Sequence, residues 1–153
     1  MGRNPDMKLR YARAADLDFL IEGLEKNRAL EKRPEAQIKA TPSDKRKLRE
    51  ALRKKNIRVV EKEGQPIAFL HFRMDANILY IDDRFLWVDL IYVKPGYRRQ
   101  GLGTLLYEDA MRLAKQRKFN KIVIDIFDAN RTSKRFHRSL GFEPLYAIYQ
   151  RKI

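Results

Sequence analysis

The 153-residue chain contains no cysteine. That excludes a disulfide framework, a thiolate nucleophile and a Cys-ligated zinc site. No apolar run reaches the roughly 18 residues of a membrane-spanning helix. The first residues, Met1-Gly2-Arg3-Asn4-Pro5-Asp6, lack the apolar core of a secretory leader. Internal repeats, low-complexity tracts and domain linkers are missing too. One domain over residues 1–153 is therefore expected, with residues 1–6 as a disordered N-terminus. A cytoplasmic enzyme is the simplest setting.

Acidic residues are also in short supply, 20 against 34 Lys and Arg, for a net charge of +14. Such a surface suits a polyanionic cofactor, suits nucleic acid, or is simply a charge-rich, thermophile-like exterior. Charged residues make up 35% of the chain while Asn and Gln together number 11, a balance that favours the thermophile-like reading as part of the answer. A solvated basic surface without a partner stays open beside these. The 44% hydrophobic fraction supports a folded domain despite the charge.

The hydrophobic pattern predicts a mixed α/β domain. Met7 to Ala12 alternates as a strand, and Ala14 to Lys32 follows as a helix with Leu17, Leu20, Ile21 and Leu24 on one face. A second helix opens at Thr41-Pro42-Ser43-Asp44, where Thr41 can cap, and runs to about Lys55. Ile57 to Glu63 and Gln65 to Met74 form a hairpin about Glu63-Gly64, with a weak extension at Leu79 to Ile81. Phe85 to Val93 is apolar on both faces, as a central strand should be. A helix over Leu102 to Lys118, a strand over Lys121 to Phe127, a helix over Thr132 to Leu140 and a closing strand region over Phe142 to Ile153 complete the order. A mixed central sheet of about six to seven strands, with helices on both faces, satisfies it.

The chemistry concentrates between strand and helix, at Val93-Lys94-Pro95-Gly96-Tyr97-Arg98-Arg99-Gln100-Gly101-Leu102-Gly103-Thr104. Glycines there permit close backbone approach, and the first N–H groups of the helix have no internal partner. Together with Arg98 and Arg99 they make an anion site. A Walker A loop is excluded because Leu102 and Gly103 stand where Lys and Ser/Thr are needed. A dinucleotide fold would need a glycine in place of Leu106. Asp125 lies at a plausible distance for a ribose ligand, but the seven residues from Lys94 to Gln100 are too many for the tight Rossmann turn.

What remains resembles the GNAT acetyltransferase superfamily. Its signature Q/R-x-x-G-x-G/A is met by Arg98-Arg99-Gln100-Gly101-Leu102-Gly103, and Leu90-Ile91-Tyr92-Val93-Lys94-Pro95 looks like the strand leading into it. Asn130 through Gly141-Phe142 is similar to the second signature, an asparagine before a short helix ending in Gly-Phe. The resemblance covers nearly the whole chain and implies an acetyl-CoA-dependent N-acetyltransferase without metal. It implies that the Ile91-Tyr92-Val93 backbone pairs with the pantetheine arm. Arg98, Arg99, Gly101, Leu102, Gly103 and Thr104 would hold the pyrophosphate, and Asn130 would contact the cofactor.

Acetyl transfer from a thioester needs a neutral amine, a polarised carbonyl and a proton for the leaving thiolate. At the family's tyrosine proton-donor position this chain has His137, which titrates near neutrality. A cofactor contact, or a helix-surface histidine between Arg135 and Arg138, are the alternatives. Tyr146 and Tyr149 are other possible donors. Asp89, the one charge inside Phe85 to Val93, shares a face with Ile91 and Val93 and is the candidate base, or else the partner of a nearby basic side chain. His71 and Glu61 have no assignable role from sequence. The expected partners are acetyl-CoA and an amine acceptor, either a peptide or protein or a small molecule, with the chain a monomer or homodimer. Acceptor specificity is expected from Leu24 to Pro42 and Asp75 to Arg84. A CoA-binding protein without catalysis is the first alternative. The second is a nucleic-acid module using Arg112, Lys115, Arg117, Lys118 and Lys121; it lacks any RNP-type motif, zinc finger or recognition helix.

Overall fold

The computed structural model describes residues 6–74 and 84–153. β1 (Met7–Tyr11) leads through a short 3-10 turn into α1 (Leu17–Leu30), and α2 (Pro42–Arg53) follows. β2 (Ile57–Lys62), β3 (Gln65–Arg73) and β4 (Phe85–Val93) come next, then α3 (Leu102–Gln116), β5 (Lys121–Ile124) and α4 (Arg131–Ser139). Local chemistry explains several boundaries. Thr41 Oγ1 accepts from Asp44 N while Asp44 Oδ2 accepts from Thr41 N, a complete capping box, and Pro42 takes the first helical position. Glu63 and Gly64 both adopt positive φ (52° and 78°), as a two-residue primed hairpin turn demands.

The strands form one sheet in the order β1-β2-β3-β4-β5, antiparallel except for the β4–β5 pair, which α3 connects as a parallel crossover. Leu102, Leu106, Ala110 and Ala114 of α3 pack on one face with Val60, Leu70, Phe72, Leu86 and Val88. Leu20 of α1 with Leu48 and Ala51 of α2 covers Ile57, Val59, Phe69, Leu90 and Tyr92 on the other. The approach of α1 is tight. A Cβ at Gly23 would lie 2.4 Å from the Phe69 ring and 2.9 Å from Tyr92, so only glycine fits there.

One irregularity organises the centre. In the β3–β4 ladder Phe72 faces Val88 and His71 faces Leu90, which leaves Asp89 as an extra, unpaired residue. The bulge switches the alternation of β4. Leu86 and Val88 face α3, but beyond Asp89 it is Ile91 and Val93 that do so, while Leu90 and Tyr92 turn to α1.

The described residues contain five strands, not six or seven, and two differences account for this. The extension at Leu79 to Ile81 lies outside the described residues. Phe142 to Ile153 is not a strand: residues 143–153 have no regular structure and are exposed. A strand is defined by its hydrogen-bonding neighbour, and apolar content cannot supply one.

Candidate active site

β4 and β5 pair only from Phe85↔Lys121 to Val88↔Ile124. β5 ends there, while β4 continues along β3 as far as Val93↔Ala68. Beyond the bulge, the side of β4 that faced β5 therefore has no strand partner among the described residues. The two strands splay apart around a cleft of about 130 Å³. Leu24, Asn27, Arg28, Glu31 and Arg33 from the end of α1 line it opposite Asp89–Ile91, Ile124–Phe127, Asn130 and Ser133. The first of these groups falls within the Leu24 to Pro42 stretch expected to govern acceptor choice.

The cleft is charged. Asp89 Oδ2 accepts from Arg73 Nε at 2.9 Å and lies 3.7 Å from His71 Nε2. Burial pushes the His71 pKa down, against the attraction of Asp89 and with the repulsion of Arg73, so this imidazole is neutral near pH 7. Asp125 opens to solvent at the mouth, yet the walls crowd its carboxyl. Partial desolvation is the largest cause of its raised pKa, and the negative charge of Asp89 adds to it, against a backbone hydrogen bond and the positive Arg73 and Arg33. Arg33 pairs with Glu31 and sits 4.9 Å over the Phe127 ring. Arg28 makes two 2.9 Å hydrogen bonds to Asp44, which ties α1 to α2 below the cleft.

The loop from β4 into α3 turns through three left-handed residues, Gly96 (φ 90°), Arg99 (φ 61°) and Gly101 (φ 77°). No side chain caps α3, and its first turn carries no acidic residue. The leading N–H groups of a fifteen-residue helix are thus left for an anion. Arg98 Nε donates to Val93 O at 3.1 Å, which holds its guanidinium at the end of β4.

At the start of α4, Asn130 is buried and its Oδ1 accepts from Ser133 N at 3.1 Å as the N-cap. His137 is 2% exposed, edge-on to Tyr107, Phe136 and Phe142. Its Nδ1 lies 2.7 Å from Ser133 O and its Nε2 2.6 Å from the Tyr107 hydroxyl. A carbonyl only accepts, so Nδ1 carries the proton and Nε2 accepts from Tyr107. Burial pushes the His137 pKa down, against the Ser133 carbonyl.

A family model described as the Acetyltransferase (GNAT) family matches residues 24–142. The chain belongs to that family. No curated protein sequence matches this GNAT chain. The crystal structure of an aminoglycoside antibiotic 6'-N-acetyltransferase from Acinetobacter haemolyticus is 26% identical, with a TM-score of 0.70 over 95% of this chain and 99% of that one. A GCN5-related N-acetyltransferase from Ralstonia eutropha is 18% identical, with a TM-score of 0.74 over 95% of this chain and 98% of that one. An aminoglycoside N-acetyltransferase in complex with CoA is 19% identical, with a TM-score of 0.72 over 99% of this chain and 98% of that one.

Against this GNAT frame the sequence-derived residues divide. Asp89, Ile91 and Asn130 line the cleft; Arg98, Arg99, Gly101, Leu102, Gly103 and Thr104 form the loop and helix start beside Val93. Tyr92 packs its side chain against Phe19 and Phe69 and does not line the cleft. Its buried hydroxyl has no hydrogen bond of acceptable geometry, although nearby Glu22 joins burial in raising its pKa. Gly103 has a packing role beyond ligand approach: a Cβ there would lie 2.6 Å from Phe136 Cζ. Leu102 is buried in the core, so it can offer only its N–H. Glu61 is placed away from the cleft, bound to Arg10 and Arg13. His137 is neither a surface histidine nor a freely presented acid. Tyr107 was hidden from sequence reasoning because it occupies the apolar stripe of α3, and its partner lies thirty residues on. Asp125 was weighed from the sequence only as a ribose ligand and His71 was given no role, because their nearness to Asp89 depends on tertiary structure. Among the described residues, no group of three or more His, Cys, Asp or Glu is placed to hold a metal ion, and no helix is long and apolar enough to cross a membrane.

Proposed function

We propose that this chain transfers acetyl from acetyl-CoA to a primary amine by direct attack in a ternary complex. The observation that carries the reading is the juxtaposition of an uncapped, acid-free α3 N-terminus with a β4 edge left open past Val88. The N–H groups of Gly101, Leu102, Gly103 and Thr104, with Arg98 and Arg99 beside them, suit a pyrophosphate. The open backbone of Ile91 to Val93 suits an extended arm that pairs like a strand, as β5 does one turn of the sheet earlier. Bound acetyl-CoA supplies the thioester carbonyl as electrophile, and a backbone N–H of β4 would polarise it.

The acceptor ammonium would enter between Asp89 and Asp125. Asp89, held in place by Arg73, attracts and orients the cation. Asp125 takes the proton, because its raised pKa brings it closer to working pH than an ordinary carboxylate. This carboxylate-lined mouth also favours a cationic small molecule over the peptide or anionic acceptors that the net charge alone would suggest, and an aminoglycoside-like polyamine is the acceptor class to try first. Asn130 orients the loop that carries Asp125 by capping α4. His137 supports the site from within the α3–α4 seam. Its Nε2 carries no proton here, so it can protonate the departing thiolate only after it leaves Tyr107 and takes up a proton.

That sequestered histidine favours one second reading, a CoA-binding protein without turnover. Free-thiol release from acetyl-CoA, screened across aminoglycosides, polyamines and lysine peptides, separates the two. Amine-dependent thiol release establishes the first reading. Tight CoA binding with only background hydrolysis for every amine overturns it.

A further inference from the structure

Much of the chain's positive charge is gathered on one helix. Residues 42–55, which are α2 and the two lysines after it, hold seven Lys and Arg against Asp44 and Glu50, a net charge of +5 out of +14. The helix is two-sided. Leu48 and Ala51 are buried in the core with Leu52 packed beside them, while Lys45, Arg46, Lys47, Arg49 and Arg53 are all exposed. Arg46, Arg49 and Arg53 stand at i, i+3 and i+7 and so form one ridge, which Lys45 joins one turn before Arg49.

Both acids of the segment are already engaged. Asp44 accepts twice from Arg28, and Glu50 pairs with Lys54 at 3.0 Å. None of the five exposed cations on the helix makes a side-chain hydrogen bond or ion pair to another described residue. Helix stability does not account for them either. Like charges three and four residues apart repel, and Lys45, Arg46 and Lys47 lie toward the positive, N-terminal end of the helix dipole. A polyanion seated on the ridge relieves that repulsion.

The chemistry of the ridge selects among polyanions. A helix that lies on a bilayer buries apolar side chains in it, but the leucines of α2 are committed to the core and none of the exposed large apolar residues belongs to it. A single strand of nucleic acid is held by aromatic platforms under its bases, and α2 has no aromatic residue. What the ridge does offer is guanidinium, three times over, the group whose fork matches phosphate. Such contacts position a duplex without reading its sequence.

We propose that the outer face of α2 docks on the phosphate backbone of duplex nucleic acid, whatever its sequence. No α2 residue lines the cleft, so the inference stands apart from the acetyl-transfer reading. The Arg28–Asp44 pair joins α2 to a wall of that cleft, so a docked chain holds the cleft beside the duplex.

Fluorescence anisotropy of a short labelled duplex DNA, titrated with the full chain at several salt concentrations, tests this. Log affinity should fall linearly with log salt. The triple variant Arg46→Gln, Arg49→Gln, Arg53→Gln should flatten that slope by about 3, roughly one for each phosphate contact removed, with an undiminished melting temperature. Should the triple fail to fold, Arg49→Gln alone should flatten it by about 1. Lys115→Gln, Arg117→Gln, Lys118→Gln removes the same charge from exposed positions at the C-terminal end of α3 and should leave the slope as it was. Absence of duplex binding at low salt overturns the proposal, as does binding that the α2 variants leave untouched. Equal flattening by both triples traces the binding to overall charge and overturns it too. So do phosphatidylserine vesicles that hold the chain at salt concentrations where the duplex has dissociated and release the α2 triple, since the ridge is then a membrane surface.

Discussion

The Tyr107 hydroxyl and His137 Nε2 meet at 2.6 Å inside the seam between α3 and α4, where both residues are almost wholly buried. The pair settles the tautomer of the imidazole and leaves neither polar group unsatisfied. His137→Ala should therefore cost about 2–4 kcal/mol of stability, a sum of lost packing and an orphaned buried hydroxyl. Tyr107→Phe should cost less, and the double variant Tyr107→Phe, His137→Leu should recover part of the loss, because the two polar groups disappear together. Chemical denaturation of Tyr107→Phe, His137→Leu and their double variant measures the cycle. Additive losses across it would show that the hydrogen bond carries no coupling. A turnover loss of roughly 10²–10⁴-fold in His137→Ala, with stability and CoA affinity intact, would instead make His137 the general acid.

Stability should fall as pH drops below the ordinary histidine value of about 6.5. His71 and His137 both have pKa values lowered by burial, so below that value the unfolded chain binds protons that the folded chain refuses. The effect is absent at pH 8, grows as pH falls through the unfolded pKa, and levels off below the folded one. Melting temperatures between pH 8 and pH 5 check it, and His71→Gln should flatten the curve.

Gly103→Ala should destabilise the protein by about 1–3 kcal/mol, because the added methyl meets the Phe136 ring at a distance no side chain tolerates. Adding Phe136→Leu should restore much of the stability by making room. Titration calorimetry with CoA on the rescued protein then separates packing from ligand approach. Affinity that stays low after rescue assigns Gly103 to the cofactor as well as to α4.

Asp125→Asn should lower turnover by roughly 10²–10⁴-fold, the scale of a lost general base. In the unsubstituted enzyme the acid limb of the pH–rate profile should lie above the usual aspartate value of about 3.9, since the group must be ionised to accept a proton and its pKa is raised. Asp89→Asn should instead raise KM for cationic acceptors more than it lowers kcat. An acid limb that persists unchanged in Asp125→Asn would move the base elsewhere, with His71 and Asp89 next.

CoA should raise the melting temperature by binding the folded state alone, with a stabilisation of about 2.7 kcal/mol at a hundredfold excess over its dissociation constant. Arg98→Ala should weaken this stabilisation with little change in the unliganded protein, since the hydrogen bond it removes, to the Val93 carbonyl, is exposed. ATP at the same concentration should stabilise far less. An equal shift with ATP would trace the effect to general attraction by the +14 charge.

Local signals carried much of this architecture. The Thr41 capping box, the Glu63-Gly64 hairpin, the doubly apolar Phe85 to Val93 and the glycine loop before Leu102 are all short-range patterns, and each stands where the residues alone place it. Period and capping chemistry act over a few residues, so a sequence states them directly. The turn into α3 was legible for the same reason, as was the place of Asp89 on β4.

Tertiary structure decided the rest. Whether β5 stops at Ile124, and so opens the cleft, depends on the register of a neighbour more than thirty residues away. The bulge at Asp89 exists only as a mismatch between two strands, and it alone turns Ile91 and Val93 toward α3. His137 reads as a proton donor, a cofactor contact or a surface residue among arginines, and only the fold buries it against Tyr107. The apolar segment after Phe142 reads as a strand, but pairing is what makes a strand, and no strand of the described sheet pairs with it. Periodicity is a property of the chain by itself; pairing, burial and the charge state of an enclosed group belong to whatever the fold sets beside it.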